Sequence, residues 1–130
     1  MADSPFSTFN DKEPFAIFDG VGLRAIAGDQ VFLGHVTYVP GTTVARHAHD
    51  HTEQVMLILD GSVAMTIGTE TREMRAGDVC VVNRGVEHEL HSVEGVTFIE
   101  ALGPVPLDHI GNREHDLVLG DLQGSLHVER

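Results

Sequence analysis

The stretch Arg46–Gln54, RHAHDHTEQ, contains three histidines, a glutamate and a glutamine. Neutral imidazoles and carboxyl or amide oxygens are the ligands that hold zinc, nickel, manganese or non-haem iron in proteins. Three interpretations are open at this point: a metal bound through His47 and His49, a metal bound through His49 and His51, or no metal at all. The rest of the chain is needed to decide among them.

The composition favours a small cytoplasmic domain. The chain has 130 residues, of which 42% are hydrophobic, and this suits one compact domain with its own core. Eight basic residues against twenty acidic ones give a formal charge of −12, so we expect neither a nucleic-acid nor a membrane partner. The single cysteine, Cys80, cannot form an internal disulfide, and the first residues do not read as a secretory signal; both observations favour the cytoplasm.

The pattern of residues predicts an all-β chain in three parts. Residues 1–13 are polar and are predicted to form a flexible arm, while residues 107–130 are predicted to form edge strands or a dimer arm. Residues 14–106 consist of short β-rich runs separated by glycine turns, which is typical of a sandwich or barrel with little helix. The clearest runs are VFLGHVTYV (31–39), QVMLIL (54–59), SVAMTIG (62–68), DVCVV (78–82) and GVTFIEAL (95–102).

Strand alternation groups the candidate ligands. His47 and His49 are two residues apart, so both side chains project from the same face of an extended segment. In the run that follows, Gln54, Met56 and Ile58 point one way and the residues between them the other. A further histidine, His88, begins another strand after a turn. Two histidines on one strand, a glutamine or glutamate on its hairpin partner and a distant histidine form a compact metal-binding set.

The spacing resembles the two motifs of the cupin superfamily. The first motif is matched by Gly41, His47, His49, Gln54 and Gly61. The second is matched by Gly77, Asn83, Gly85, His88 and Ser92, with Asn83 in place of a proline and Ser92 in place of an asparagine. The resemblance implies the cupin double-stranded β-helix, a jelly-roll barrel, and it implies a homodimer.

The resemblance also implies a ligand set. His47, His49, Gln54 and His88 take the positions of the cupin metal ligands, and Glu53 is expected to face away from the ion. The implied cofactor is one divalent ion, which could be zinc, nickel, iron or manganese.

Among the cupins the chain most resembles the pectin-degradation type, which linearises unsaturated sugar acids. The resemblance is carried by Arg24, the Pro40–Gly41 turn, the glutamine-bearing first motif, the triplet AGD (76–78) and the strand GVTFIEAL with the prolines after it. On that strand Glu100 takes the position of the family's acid and Leu102 that of its aromatic residue. Pro106 stands where the family carries an arginine, so the resemblance predicts the fold and the metal site but not the substrate.

Roles for the remaining candidate residues follow from chemistry. An ion held by three imidazoles and a neutral amide keeps its double charge and is a strong Lewis acid. Glu100 is a candidate general base whose pKa burial would raise, or else a buried carboxylate bonded to a ligand histidine. Arg24 is a candidate for orienting an anionic substrate, although a surface salt bridge is the alternative. An apolar pocket is predicted to be lined by Tyr38, Met56, Ile58 and Met65.

Other reactive side chains receive simpler interpretations. His91 lies three residues beyond His88 on a strand and is predicted to face the opposite side, at the surface. His51 is predicted to be solvated in a turn at the cavity mouth. Cys80 is interpreted as a small buried hydrophobic residue rather than a nucleophile.

Three functions agree with this sequence. The first is an enzyme that uses a metal to assist proton transfer, such as isomerisation, ring opening or lyase chemistry, on a small hydroxy or keto compound or a sugar acid. The second is a cupin dioxygenase that uses iron(II) and dioxygen on an aromatic or diketone substrate. The third is a small-molecule binding protein without catalysis.

Overall fold

A computed structural model of the chain describes residues 4–11, 13–105 and 117–118. Over these residues the structure is almost entirely β-sheet, with one 3-10 turn at Phe9–Asp11, so the prediction of an all-β chain with little helix is confirmed. The strands are β1 (Phe15–Phe18), β2 (Val21–Ala27), β3 (Phe32–Tyr38), β4 (Thr42–His47), β5 (Glu53–Ile67), β6 (Glu70–Arg75), β7 (Val79–Val82), β8 (His88–Ser92), β9 (Val96–Gly103) and β10 (Leu117–Val118).

The strands form one curled sheet in the order β1-β2-β3-β9-β5-β8-β4. The long strand β5 joins the two halves of this sheet. Its first part pairs with β7 and β9, and its second part pairs with β6 and β8. The resulting barrel brings the end of β4 and the start of β8 opposite the start of β5.

Strand β5 has an irregularity near Gly61. Its pairing with β9 shifts register between Ile58 and Asp60, and Gly61 follows with a φ of 78°. Residues with a Cβ rarely adopt this left-handed conformation. A Cβ on Gly61 would also overlap the carbonyl oxygen of Gly95. Glycine is therefore required where the strand passes from one half of the sheet to the other.

The inner face of the barrel is apolar and buried. On β5, Gln54, Met56 and Ile58 are buried while the residues between them are exposed, which confirms the predicted alternation. The same period of two runs along β2 and β9. The largest fully buried apolar side chains are Phe32, Phe98, Leu23, Met56, Ile58 and Leu102.

The opposite face of the same strands is also apolar, although it is exposed. Leu57 lies between Val79 of β7 and Ile99 of β9, and the neighbouring row runs from Val81 through Val55 and Ala101 to Leu33 of β3. Exposed or half-buried apolar residues thus continue across four strands. We call this surface the outer apolar face and define it by Leu33, Val55, Leu57, Val79, Val81, Ile99 and Ala101.

The two ends of the chain are described only in part. The predicted flexibility of residues 1–13 stays a prediction, and the predicted boundary at residues 106 and 107 lies outside the described residues. Of the C-terminal part the structure describes Leu117 and Val118, which pair in parallel with Ile26 and Ala27 of β2. Among the described residues, no helix is long and apolar enough to cross a membrane.

Candidate metal centre

Three histidines meet where β4 and β8 lie side by side. His47 ends β4 and is paired in register with His88, the first residue of β8, while His49 follows two residues after His47. The ring centroids of His47 and His88 are 4.2 Å apart, and His49 lies 5.0 Å from His47 and 5.3 Å from His88. One nitrogen of each ring lies within 4.8 Å of the corresponding nitrogens of the other two. The three rings can therefore hold one metal ion.

Backbone carbonyls fix two of these rings. The Nδ1 of His47 lies 2.7 Å from the carbonyl oxygen of Ala45, and the Nδ1 of His88 lies 3.0 Å from that of Val86. A carbonyl oxygen only accepts hydrogen bonds, so each Nδ1 carries a proton and donates it. With Nδ1 used in this way, Nε2 is the ring nitrogen that would bind a metal, which is the arrangement found in metal-binding histidines.

Gln54 adds an oxygen to the same cavity. Its Nε2 donates a hydrogen bond of 2.9 Å to Oε1 of Glu100, and both side chains are buried. Its Oε1 is also buried and has no hydrogen-bond partner in the structure. Such an atom carries a desolvation cost unless something satisfies it, and a metal ion would do so. The donor set of three imidazoles and one amide oxygen therefore fits a divalent ion.

Two neighbouring candidate ligands, Glu53 and His51, do not lie with the three histidines and Gln54. Glu53 lies on the exposed face of β5, as predicted. His51 lines a different hollow, together with Glu53, Asn83, Arg84 and Pro104, so the pairing of His49 with His51 is not the one that the structure supports.

The cavity beside the histidines is small and is lined by both polar and apolar side chains. Its volume is about 40 Å³, well below the 300–1,000 Å³ of pockets that enclose drug-sized ligands. The polar groups that reach it are the three histidines, Gln54, Glu100 and Tyr38. Its apolar lining includes Ile17, Phe18, Leu23, Val36, Leu90 and Phe98. The cavity suits an ion and the reacting atoms of a small molecule.

Tyr38 lies in this cavity as predicted. Its ring packs edge-on against Phe98, with centroids 5.5 Å apart. Burial, and after it the charge of Glu100, raises the pKa of the Tyr38 hydroxyl far above its usual range. The hydroxyl therefore stays protonated at physiological pH and serves as a hydrogen-bond donor rather than as a base.

The structure does not bring four other predicted residues into the cavity. Arg24 lies between Leu23 and Ala25, which both point inward, so its side chain is on the outer face of β2. Met56 and Ile58 are fully buried in the core but do not line the cavity. Met65 lies in the second part of β5 and lines a separate surface hollow of about 660 Å³. Strand alternation identified the inward-facing side chains, but it does not show which of them reach the cavity.

The short strand β1 contributes two lining residues that the sequence interpretation missed. Ile17 and Phe18 reach the cavity, and the ring of Phe18 lies 6.4 Å from that of His47. The only signal in the sequence was that this apolar run directly follows the polar arm.

Two other reactive side chains, His91 and Cys80, lie outside the cavity. His91 is exposed, as predicted, and its Nδ1 lies 2.6 Å from Oγ1 of Thr43. Cys80 is only half-buried and lines the same hollow as Met65, so the prediction that it is buried was wrong. Burial nevertheless raises the pKa of its thiol to about 11, which disfavours the thiolate that a nucleophile needs.

The fold is a jelly-roll β-barrel with three histidines and a glutamine gathered in an interior cavity, a site that could hold a metal ion. The family model described as the cupin domain matches residues 34–100, just over half of the chain. The chain belongs to the cupin family, and within it is similar to the pectin-degradation proteins.

Relatives of known sequence support this assignment. The chain is 26% identical over 107 residues to the pectin degradation protein KdgF of Dickeya dadantii, and the match covers 78% of this chain and 94% of that protein. It is 27% identical over 85 residues to the tetracenomycin polyketide synthase protein TcmJ of Streptomyces glaucescens. That match covers 61% of this chain and 57% of TcmJ, so the chain spans little more than half of that relative.

A solved structure shows the same fold. The structure of KdgF from Halomonas sp. superposes with a TM-score of 0.73 at 17% identity, covering 79% of this chain and 96% of that one.

Proposed function

We propose that this cupin is a metal-dependent enzyme that catalyses proton transfer on a small hydroxy or keto compound or a sugar acid, in an isomerisation, ring opening or lyase reaction. The observation that carries the proposal is the buried carboxylate of Glu100, which shares the cavity with the three histidines and Gln54. A divalent ion held there would act as a Lewis acid toward a carbonyl or hydroxyl oxygen of the substrate.

The protein's own groups supply the proton chemistry. Glu100 accepts the proton that leaves a carbon beside the polarised oxygen and returns it at another position. The protonated hydroxyl of Tyr38 can donate a hydrogen bond to a substrate oxygen in the same cavity. The similarity to pectin degradation proteins supports sugar acids as the first compounds to test.

The proposal is tested by NMR in deuterated water without dioxygen. Zinc-, nickel-, manganese- and iron(II)-loaded protein is incubated with a panel of small hydroxy and keto acids that includes unsaturated sugar acids. We expect one compound to isomerise or open with deuterium incorporated at carbon, and metal removal to abolish the reaction.

Two outcomes would contradict the proposal. Turnover that strictly requires dioxygen would show a dioxygenase instead. A compound that binds and is recovered unchanged, with no deuterium incorporated, would show a binding protein.

We propose further that the protein is a homodimer in which the outer apolar face is covered by a second copy. Exposed apolar patches of this extent usually mark interfaces. A two-fold interface uses the same surface of both subunits, so each side chain on it is buried twice in the dimer. The proposal is supported by the continuity of the face across β7, β5, β9 and β3 and by the cupin resemblance.

The substitution Leu57→Asp should convert this dimer to a monomer, because it places two carboxylates at the centre of the face. Sedimentation at micromolar concentration measures the result. Val93→Asp is the matched control, because Val93 is 69% exposed in the turn before β9. The control should remain dimeric. A monomeric parent protein, or a Leu57→Asp variant that stays dimeric, would refute the interface.

A further inference from the structure

We propose that Glu100 is a positioning residue for the metal ligand Gln54: its carboxylate holds the amide so that the carbonyl oxygen is presented to the ion. The inference rests on the metal site of the proposed function but not on its chemistry, since it concerns how tightly the ion is held. Glu100 would hold the amide of Gln54 in this way even when no substrate is bound.

The hydrogen bond determines which way the amide points. Gln54 has one acceptor atom and one donor group at the end of its side chain. The donor is used on Glu100 at 2.9 Å, and the acceptor is the buried atom without a hydrogen-bond partner. Turning the amide over would set its carbonyl oxygen against a carboxylate oxygen, and two acceptors repel each other. Glu100 therefore selects the orientation in which the oxygen is left for the ion.

The strand register explains why these two side chains meet. Glu100 of β9 is paired with Met56 of β5, so Gln54 is its diagonal neighbour on the same inner face. Diagonal neighbours on adjacent strands are within reach of long side chains. Gln54 and Glu100 are 6% and 4% exposed, so water does not compete for the hydrogen bond.

Gly34 provides the space that Glu100 occupies. It is paired with Glu100 in the middle of β3, where a glycine otherwise weakens a strand. A Cβ on Gly34 would lie 3.2 Å from Cγ of Glu100 and would also crowd Phe32 and Leu23. The Glu100 side chain thus packs directly against Gly34, which limits its freedom on the side away from Gln54.

Zinc affinity, measured by competition with a chelator, tests the inference in two variants. In Glu100→Gln the new amide can offer its own carbonyl oxygen to Nε2 of Gln54, so the affinity should fall less than about 10-fold. In Glu100→Leu no acceptor remains, so the affinity should fall about 10–100-fold, as is typical when a ligand loses its supporting partner. Ser92→Ala is the control for general damage. It removes the hydrogen bond that Ser92 donates to the carbonyl of Ser62 and the one that it accepts from the amide of Gly95, and it should leave zinc affinity unchanged.

A swap of the two side chains gives a second readout, in the metal-free protein. Gln54→Glu alone sets two carboxylates against each other and should lower the midpoint of thermal unfolding by about 4 °C or more. Adding Glu100→Gln restores a donor and an acceptor in exchanged positions, so the double variant should regain most of that loss.

The two readouts separate this inference from the proposed function. Parental zinc affinity in Glu100→Leu, or no recovery in the double variant, would overturn the inference. Zinc affinities and unfolding midpoints that follow the pattern above would support it even if no compound in the panel reacts, and in that case only the proposed function would fail.

Discussion

Replacing His88 with alanine should lower the affinity of the protein for zinc by more than about 100-fold, beyond what is typical when only a ligand's supporting partner is lost. His88 is almost completely buried, and the carbonyl of Val86 orients its ring through Nδ1. Alanine removes one of three imidazoles, and no other histidine is placed to substitute for it among the residues that line the cavity. Metal content after purification and competition with a chelator measure the loss.

His91→Ala is the matched control, because His91 lies three residues further along the same strand and is exposed. It should bind zinc like the parent. Equal losses in the two variants would show that damage to β8, rather than loss of a ligand, lowers the affinity.

A second pair of variants tests the register of β5 at the same site. Gln54→Ala should also weaken zinc binding, although less than His88→Ala, because imidazole is the stronger ligand. Glu53→Ala should have little effect, since Glu53 lies on the exposed face. Loss of zinc in Glu53→Ala together with retention in Gln54→Ala would show that Glu53, and not Gln54, is the metal ligand.

The second large effect concerns turnover. Glu100→Gln should lower kcat by about 10²–10⁴-fold, the usual contribution of a general base, while the protein keeps its metal. The substituted amide has nearly the same shape and can still accept the hydrogen bond from Gln54, but it cannot take up a proton at neutral pH. Single-turnover kinetics on metal-loaded protein, with metal content determined for each sample, separates the loss of chemistry from the loss of the ion.

Tyr38→Phe is a useful companion variant, because it removes the hydroxyl and keeps the ring that packs on Phe98. It should lower kcat less than Glu100→Gln does, since it removes a hydrogen-bond donor rather than the base. A Glu100→Gln variant with parental kcat would refute the role of Glu100 in proton transfer.

The strand faces could be predicted from the sequence because they depend on short-range geometry. Residues two apart on a strand share a face, so Gln54, Met56 and Ile58 were correctly placed inside the barrel. The pairing of His47 with His88 depends on contacts over forty residues, which alternation does not give. The cupin motif spacing supplied that information, and the register of β4 with β8 confirms it.

The rest of the site depends on where each strand lies along the barrel. Met56, Ile58 and Met65 face inward, but none of them lines the cavity beside the histidines. Arg24 was assigned from its position in a family pattern, although its neighbours Leu23 and Ala25 already indicated that it faces outward. Phe18 reaches His47 because a tight turn folds β1 back onto β2, and the apolar run at residues 15–18 carries no sign of which ring it will contact.

The fifteen residues of β5 make the barrel indivisible. This one strand is hydrogen-bonded to four others and carries Gln54 at its start. If it separates from its neighbours, both halves of the sheet lose their central strand and the candidate metal centre loses Gln54. We therefore expect folding of the barrel and assembly of the candidate metal centre to occur as a single cooperative event.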